Sequence, residues 1–459
     1  MTVSRVISAN GRSCLEHNGK PRLFYGVQIR LDNAEEIGLD EQEIETYFRM
    51  SAAYSFPIVA VPLRWGEKIE PYLQTGTDSE FVKNTLRYAE KYNLSVQWLW
   101  FGSNVCGANF APSCVPADIL ENKTEYPRFT VEGRERLDPS APALIAREKK
   151  AICGFMDMLL RLDTGRRTSA VQIENEPDMG YFNDPVFRRK SLILINELGI
   201  AVKESTFSVM TRVNTTAPEL YMGEDMLLSE LLALDGIDAV GVDVYHKDIR
   251  YFSNYADYMV KLPGNLPHFS EMGPHVAVIP QIICDTLSRG CGALIYELRT
   301  VGDCNYDFGV FRADDKRWIE RDGTQPVQYQ WTAGEMTEES NTADIGILNG
   351  MISVLDSQLA VTPAENMAMV LSGEEKKVGS YSAAFETEES GYNAFGMTVA
   401  ADDGKLYCFT LAQCGVFRFT DNGTAYRVEI HDYNEWKPLK EINDSFTAER
   451  GCVYRVSRC

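Results

Sequence analysis

The sequence lacks the motifs that mark several large functional classes. It has no run of about 18 apolar residues, which a membrane-spanning helix requires. It has no G-x-G-x-x-G dinucleotide fingerprint, no P-loop and no G-x-S-x-G nucleophile elbow. Histidine is scarce, with five in the chain, and neither H-E-x-x-H nor any other metal-ligand spacing occurs. Any catalytic chemistry must therefore come from other side chains.

Positive charge is also in short supply. Lys and Arg number 45 against 66 Asp and Glu, which gives a net charge of −21. An acidic protein repels phosphate backbones and anionic lipids, so nucleic acid and membranes are poor partners. The N-terminus "MTVSRVISANGRSC" has no apolar signal core, and the 11 scattered cysteines include no C-x-x-C pair. These features predict a cytoplasmic protein with reduced thiols.

The sequence does contain a regular alternation of β-rich and amphipathic helical segments. The β segments are residues 23–31, 57–65, 94–102, 169–177, 207–214, 237–245, 267–273 and 292–299. Helical patterns occur at 78–93, 142–162, 185–204, 223–234, 250–261, 276–289 and 341–361. Eight such units predict an α/β fold, a (β/α)8 TIM barrel, across residues 1–362. An open doubly wound sheet is the alternative, and the missing dinucleotide fingerprint argues against it.

Two regions differ from this alternation. Residues 103–140 contain four prolines and little periodicity, and a loop of that length is typical of a functional rim or lid. Beyond residue 362 the chain is rich in aromatic and β-branched residues, with D-D-G and D-N-G turn signals. This composition predicts a small antiparallel β-sandwich domain over residues 363–459.

Two acidic stretches suggest chemistry. "VQIENEPDMG" places Glu174 and Glu176 on one side of a strand, with Glu176 at its exit, and "PHFSEMGP" ends the seventh β segment with Glu271. TIM-barrel active sites lie at the C-terminal ends of the strands, so Glu176 and Glu271 should face each other across the barrel mouth. Two such carboxyl groups can cleave a glycosidic bond, one as proton donor and one as nucleophile or base. A polar strand end paired with its neighbours is the structural alternative.

The same stretches resemble the motifs of a known group of enzymes. "QIENEP" and "HFSEMG" resemble the acid/base and nucleophile motifs of clan A retaining glycoside hydrolases, and the similarity is greatest to the β-galactosidases of glycoside hydrolase family 35. "WLWFGSN" and "GIDAVGVDVY" resemble the third and sixth strands of that family. The chain departs from the family at Pro177 and in "FYGVQIRLDN", which lacks the usual Gly-Glu-His-Tyr pattern. The resemblance covers most of residues 20–362.

The resemblance implies a role for each matched residue. Glu176 would be the acid/base and Glu271 the nucleophile. Asn175 would hydrogen-bond the sugar 2-hydroxyl, a contact that strengthens in the transition state. Tyr245 would hydrogen-bond Glu271 and keep it ionised. Glu174 would bind sugar hydroxyls or pair with a buried arginine.

Five further residues are substrate-binding candidates because they lie at or near strand ends. Arg30 and Arg64 could contact the sugar or the nucleophile, or they could neutralise the acidic barrel mouth. Trp100 could stack on the apolar face of a sugar or pack in the core. His246 could contact the sugar or be structural, and Glu297 could bind a hydroxyl or form an ion pair with an arginine.

These features predict an exo-acting retaining β-glycosidase that acts on an oligosaccharide or glycoside. The predicted specificity is that of a β-galactosidase. The enzyme would need no cofactor and no metal. A clan A enzyme of another specificity, such as a β-glucosidase, β-mannosidase or endo-glucanase, is the first alternative. A non-catalytic carbohydrate-binding barrel is the second. The sugar, the linkage and the formation of a homo-oligomer stay open.

Overall fold

The computed structural model describes residues 2–34, 38–107, 114–131, 133–179, 184–216, 226–246, 248–273, 278–299, 301–303, 306–312, 315–319, 329–333, 336–338, 341–420 and 424–459.

Eight parallel strands form a closed barrel, and each predicted β segment contributes one of them. Barrel strands 1 to 8 are Tyr25–Gln28, Ile58–Arg64, Ser95–Phe101, Thr168–Ile173, Met210–Thr215, Ala239–Tyr245, His268–Gly273 and Gly292–Ile295. The strands pair in chain order, and strand 8 returns to pair with strand 1. Almost all of their residues are buried, because helices cover the outside and side chains fill the inside. The predicted TIM barrel is confirmed.

Helices surround this barrel and continue beyond it. Their bounds are Glu41–Ala53, Glu70–Thr75, Glu80–Lys91, Ala117–Glu121, Pro142–Leu162, Pro185–Glu204, Met226–Leu232, Ile249–Met259, Ile279–Ser288, Thr342–Val354 and Asp356–Val361. Short turns of 3₁₀ or π geometry occupy Leu31–Asn33, Trp65–Ile69 and Ala364–Asn366. Pro142–Leu162 buries Ile152, Phe155, Met156 and Leu159 on one face, as its periodicity predicts. Across the described helices, none combines the length and hydropathy that a membrane crossing demands.

The helix Glu41–Ala53 was not predicted. It starts at a capping box, in which the Asp40 side chain accepts the Glu43 N–H and the Glu43 carboxylate accepts the Asp40 N–H. Of its 13 residues, Tyr47, Phe48 and Ser51 are buried, so its apolar stripe is narrow. A helix with so little apolar periodicity is hard to recognise from sequence.

Several small sheets were also not predicted. A three-stranded antiparallel sheet, Ser4–Ala9, Arg12–His17 and Lys20–Arg22, precedes barrel strand 1. The long segment 103–140 contains the hairpin Arg128–Val131 with Arg134–Leu137 as well as the helix Ala117–Glu121. Three two-stranded pairs follow strand 8: Val301–Asp303 with Tyr306–Phe308, Phe311–Arg312 with Thr337–Glu338, and Asp315–Ile319 with Tyr329–Ala333.

The C-terminal part consists of two antiparallel sheets, as predicted. One has the order Met367–Leu371, Phe395–Ala400, Leu406–Thr410, Val453–Arg458, Tyr426–Asp432, Glu435–Ile442. The other has the order Glu375–Val378, Tyr381–Glu386, Cys414–Phe419, Ser445–Glu449. Side chains from both sheets, including Phe385, Phe417, Leu406 and Tyr426, form one shared core.

The predicted domain boundary at residue 362 lies between the helix Asp356–Val361 and the first C-terminal strand. The barrel core extends across this point, because Met397, Phe409 and Val453 of the six-stranded sheet pack with barrel residues. The division into domains of residues 1–362 and 363–459 therefore stays a prediction.

Candidate active site

Barrel strand 4 ends before the carboxylates that follow it. Its last residue is Ile173, and Glu174 and Glu176 have positive φ angles of 62° and 42°. This left-handed backbone breaks the strand alternation, so the two side chains do not share one face as the sequence suggested. Glu174 is fully buried, whereas Glu176 is partly exposed. Strained backbone of this kind, at about 1–3 kcal/mol per residue, clusters at functional sites.

Asn214, near the end of barrel strand 5, organises the residues around Glu176. Its Oδ1 accepts the Glu176 N–H at 3.0 Å, and its Nδ2 donates to Asn175 Oδ1 at 3.0 Å and to Asp243 Oδ2 at 2.6 Å. The Asn175 oxygen also accepts from Gln172 Nε2 at 3.1 Å. Because that oxygen is occupied, the Asn175 amide nitrogen is turned towards Glu176 Oε2, at 3.3 Å. The arrangement presents a hydrogen-bond donor beside this carboxyl group.

Negative neighbours surround Glu176. Burial raises the pKa of Glu176 well above its ordinary value, and the charges of Glu271 and Asp178 raise it further. Hydrogen bonds from Asp243 and Cys106 act in the opposite direction, with Cys106 Sγ 3.8 Å from Glu176 Oε2. These surroundings favour the protonated form of the carboxyl group, which is the form that can act as a proton donor.

Donors and cations surround Glu271. Burial raises the pKa of Glu271, and four neighbours oppose that effect: the Tyr245 hydroxyl, the Arg30 and Arg212 guanidinium groups and Gln28. The Tyr245 hydroxyl donates directly to Glu271 Oε2. These neighbours stabilise negative charge, so Glu271 is the member of the pair better suited to react as a carboxylate.

Arg30 is held firmly in place beside this carboxylate. Its Nε and Nη2 bond the two Asp32 oxygens at 2.9 and 3.0 Å, and its Nη1 donates to the Tyr296 hydroxyl at 3.1 Å. The Tyr296 ring packs edge-on against Tyr245, with centroids 5.4 Å apart. Arg30 thus lies at the site, where the sequence placed it, and its contact with a sugar stays a prediction.

Glu174 pairs with another carboxyl group among the described residues, and not with an arginine. Its carboxyl group hydrogen-bonds Glu148 of the helix Pro142–Leu162. It also accepts the backbone N–H groups of Gly102 and Asn104, each at 3.1 Å. Burial and the Glu148 charge raise the pKa of Glu174 well above its ordinary value, so Glu174 carries the proton that the pair shares. Its predicted contact with sugar is corrected to a structural role.

Gly102 lies where the two buried carboxyl groups meet. A Cβ at this position would be 1.8 Å from Glu148 Oε1, so no larger residue fits. The loop that begins at Gly102 continues to Cys106, whose N–H donates to the Asn175 carbonyl oxygen at 2.7 Å. The buried pair therefore fixes the loop that brings Cys106 beside Glu176.

Two other predicted sugar contacts are buried too deeply to meet a substrate. Trp100 has no exposed surface, and its indole N–H donates to Glu148 Oε1 at 2.8 Å. Arg64 is 1% exposed and forms an ion pair with Asp32 at 3.1 Å. Trp100 is a core residue, and Arg64 supports the Asp32 that holds Arg30.

Glu297 is likewise buried, with 2% of its surface exposed. Burial raises the pKa of Glu297 to about 8, and the nearby Arg30 and Arg299 oppose that rise. Its position supports the structural interpretation, an arginine neighbour, and not the predicted contact with a sugar hydroxyl.

Tyr245 and His246 end barrel strand 6 and reach solvent. Tyr245 keeps 37% of its surface exposed while its hydroxyl lies on Glu271. His246 Nδ1 accepts the Asp248 N–H at 2.9 Å, and its ring stacks on Tyr251. With Nδ1 used as an acceptor, Nε2 carries the proton of the neutral ring. The sugar contact predicted for His246 would use that N–H, and it stays a prediction.

Sequence reasoning missed several residues of this site. Asn214 and Asp243 lie near the ends of strands 5 and 6, so strand-end position alone could have identified them. Tyr296 directly follows the last residue of strand 8, Ile295, so its strand-end position could also have identified it. Glu148 and Cys106 come from a helix and a loop, and no sequence pattern connects them to the strand ends. Among the described residues, no group of three His, Cys, Asp or Glu side chains is arranged to hold a metal ion.

Comparison with known proteins finds solved structures of similar fold but no match in sequence. No protein-family model and no curated protein sequence matches the chain. The structure is similar to a β-galactosidase from the psychrophilic Marinomonas ef1, at 10% identity and a TM-score of 0.53 over 74% of this chain and 62% of that one. It is also similar to an endo-β-1,4-mannanase from Thermotoga petrophila, at 9% identity and a TM-score of 0.50 over 94% and 99% of the two chains. At such low identities the similarity shows the fold alone. Both of these solved structures are glycoside hydrolases.

Proposed function

We propose that the protein is a retaining β-glycosidase in which Glu176 is the general acid/base and Glu271 the nucleophile. The observation that carries this proposal is the unequal surroundings of two carboxyl groups at one barrel mouth. Glu176 has negative neighbours that keep it protonated, whereas Glu271 has a tyrosine hydroxyl and two arginines that favour its ionised form. Pairs of carboxyl groups with separated proton affinities are typical of glycosidases.

The proposed reaction has two displacements. In the first, a Glu271 oxygen bonds the anomeric carbon, the bond from that carbon to the leaving oxygen breaks, and Glu176 gives its proton to the leaving oxygen. In the second, the Glu176 carboxylate takes a proton from water. The water oxygen then bonds the anomeric carbon, and Glu271 departs as a carboxylate.

Three further residues support these steps. The Asn175 amide, held by Asn214, would donate to the sugar 2-hydroxyl. Tyr245 keeps Glu271 placed and ionised before attack. Asp243 hydrogen-bonds Glu176 and is paired in strand register with Glu271, so it holds the Glu176 carboxyl group in position between the two strands.

The proposed substrate is a terminal β-linked sugar, with β-galactosides to be tested first because of the motif resemblance. The solved structures of similar fold include enzymes that act on different sugars, so β-glucosides, β-mannosides and endo-acting cleavage are the competing outcomes. A non-catalytic carbohydrate-binding barrel is the remaining alternative.

The test is hydrolysis of a panel of nitrophenyl glycosides by the wild type and by Glu176→Gln and Glu271→Gln. The matched control is Glu197→Gln, an exposed glutamate paired with Lys149. We expect the control to match the wild type and both site variants to lose about 10²-fold or more in kcat. Equal activity of all four proteins on any cleaved glycoside would refute the assignment. Retained activity on a glucoside or mannoside alone would refute the galactose preference and keep the mechanism.

The two carboxyl groups can then be distinguished. A dinitrophenyl leaving group departs without protonation, so Glu176→Gln should still form the glycosyl-enzyme, and azide should release it as a β-glycosyl azide. Glu271→Gln should form neither the glycosyl-enzyme nor the β-glycosyl azide. Proton NMR of the first product should show the β-anomer. An α-anomer formed first would refute the double displacement.

A further inference from the structure

A cavity of about 430 Å³ lies at the end of the barrel where the strands begin. One wall is formed by strand starts, including Ser95 and Ser169, and another by the N-terminal three-stranded sheet. Ile352 and Ser353, near the end of the helix Thr342–Val354, and Asp356, which begins the next helix, line a third side. Barrel strands here are six or seven residues long, so at about 3.3 Å per residue the cavity is roughly 20 Å from Glu176. It is a separate place from the candidate active site.

The charges around this cavity are opposite to those of the protein as a whole. Four cationic side chains line it, Lys20, Arg22, Arg166 and Arg167, against one carboxylate, Asp356. The chain carries a net charge of −21, so such a concentration of positive charge is unusual within it. Positive side chains around a concave site attract anions and raise their local concentration.

Two of these cations are already neutralised and two are not. Arg22 pairs with Asp356 at 2.9 Å, and Arg167 pairs with Glu90 at 2.5 Å. Lys20 and Arg166 form no ion pair with any residue that the structure describes, and both are exposed. The cavity therefore offers about two uncompensated positive charges to a ligand.

The backbone that carries Arg166 is held in place. The Arg166 carbonyl oxygen accepts from His17 Nε2 at 2.8 Å and from Asn18 Nδ2 at 3.1 Å. His17 Nε2 thus carries the ring proton, which leaves Nδ1 as the acceptor facing Ser95 Oγ at 3.4 Å. Burial lowers the pKa of His17, so this ring is neutral and contributes polarity but no charge. Polar groups without charge suit the hydroxyls of a small ligand.

We propose that this cavity binds a phosphate monoester of about the size of a sugar, with Lys20 and Arg166 contacting the phosphate. A phosphate monoester carries a charge of about −1.5 to −2 at pH 7. That charge balances the two uncompensated cations more closely than the single negative charge of a ligand with one carboxylate would. Arginine and lysine are the usual partners of phosphate oxygens. The volume falls within the roughly 300–1,000 Å³ of small-molecule sites.

Calorimetric titration of the full-length protein at low ionic strength tests the proposal, with glucose 6-phosphate, inorganic phosphate, glucuronate and glucose as probes. We expect saturable 1:1 binding of glucose 6-phosphate that weakens with added salt, and no binding of neutral glucose. Inorganic phosphate should bind more weakly because it lacks the sugar contacts. Glucuronate binding as tightly as glucose 6-phosphate, or no saturable binding of any phosphate, would overturn the proposal.

Paired variants locate the binding. The double variant Lys20→Gln, Arg166→Gln should weaken glucose 6-phosphate binding at least about tenfold. The control Arg189→Gln, Lys377→Gln removes the same charge from exposed positions outside the cavity and should leave the affinity unchanged. Ligand-free thermal unfolding checks that both proteins are folded, and equal affinity in the two would place binding elsewhere and refute this site. In wild type, binding should also raise the melting temperature, because the ligand contacts the folded state alone.

Discussion

Replacing Glu148 with alanine tests whether the buried carboxyl pair holds the loop after barrel strand 3. Glu148 accepts hydrogen bonds from Trp100 Nε1 at 2.8 Å, from Ser103 Oγ at 2.5 Å and from the Ser103 N–H at 3.3 Å. It also shares a proton with Glu174. All of these groups are fully or almost fully buried, so water cannot replace the lost carboxylate without reorganising the loop.

The expected cost follows from those contacts. Each buried donor left without a partner costs about 1–3 kcal/mol. Three donors lose their acceptor in this variant, namely Trp100 Nε1, Ser103 Oγ and the Ser103 N–H. The cavity left by the side chain adds to this, and the Glu174 carboxyl group loses the acceptor of its proton. We therefore expect Glu148→Ala to lower the free energy of unfolding by at least about 3 kcal/mol, which is three donors at about 1 kcal/mol each. Glu148→Gln keeps the volume and one acceptor oxygen, so about 1–2 kcal/mol is expected.

Urea denaturation followed by tryptophan fluorescence measures both variants. Glu197→Ala is the control, since it removes an exposed glutamate whose ion pair with Lys149 contributes less than about 1 kcal/mol. If Glu148→Ala is too unstable to purify, Glu148→Gln supplies the measurement. A loss in Glu148→Gln no larger than that in the control would show that the pair does not support the loop, and the reasoning above would fail.

Three further predictions concern pH. Tyr245→Phe removes the hydroxyl that stabilises the Glu271 carboxylate, so kcat/KM should fall about 10- to 100-fold. The acidic limb of the pH profile of kcat/KM should move to higher pH, and an acidic limb at the wild-type position would contradict the role of Tyr245. Asp243→Ala removes the hydrogen bond that lowers the pKa of Glu176, so the alkaline limb of kcat/KM should move to higher pH, and a move to lower pH would contradict this account. The pKa of Glu297 is about 8 in the folded protein against an ordinary 4.5, so the folded state holds a proton that the unfolded chain releases. Glu297 alone should therefore lower the stability by on the order of 4 kcal/mol from pH 4.5 to pH 8, and urea titrations of Glu297→Gln should show a loss of stability over that range that is smaller by this amount than in the wild type; equal losses in the two proteins would contradict the shift.

The barrel could be predicted because its signal is local and repeated. Each strand is a short apolar run, and helices such as Pro142–Leu162 and Pro185–Glu204 show a buried stripe between clear start and stop signals. The helix Glu41–Ala53 was missed because little of it is buried, and the three N-terminal strands were missed because they are short.

The positions of Glu176 and Glu271 could be predicted for the same reason. Glu271 lies near the end of barrel strand 7 and Glu176 lies just beyond the end of strand 4, and barrel geometry brings strand ends together whatever the loops do. The environment of a side chain is not local in that sense. Contact with a substrate was one of two alternatives for Glu174 and for Trp100, and the sequence could not decide between them; in the structure the first pairs with Glu148 and the second is enclosed in the core.

The sequence by itself thus determined the periodic elements, their order and the two carboxylates at the strand ends, because hydrophobic periodicity and strand-end position are properties of neighbouring residues. The tertiary structure alone decided how the surroundings of the two carboxyl groups differ. Proton affinity depends on burial and on charges that come from distant parts of the chain, such as Arg30 and Arg212 at Glu271 and Glu271 at Glu176. Folding also gathered Lys20 and Arg166, 146 residues apart in sequence, around one cavity.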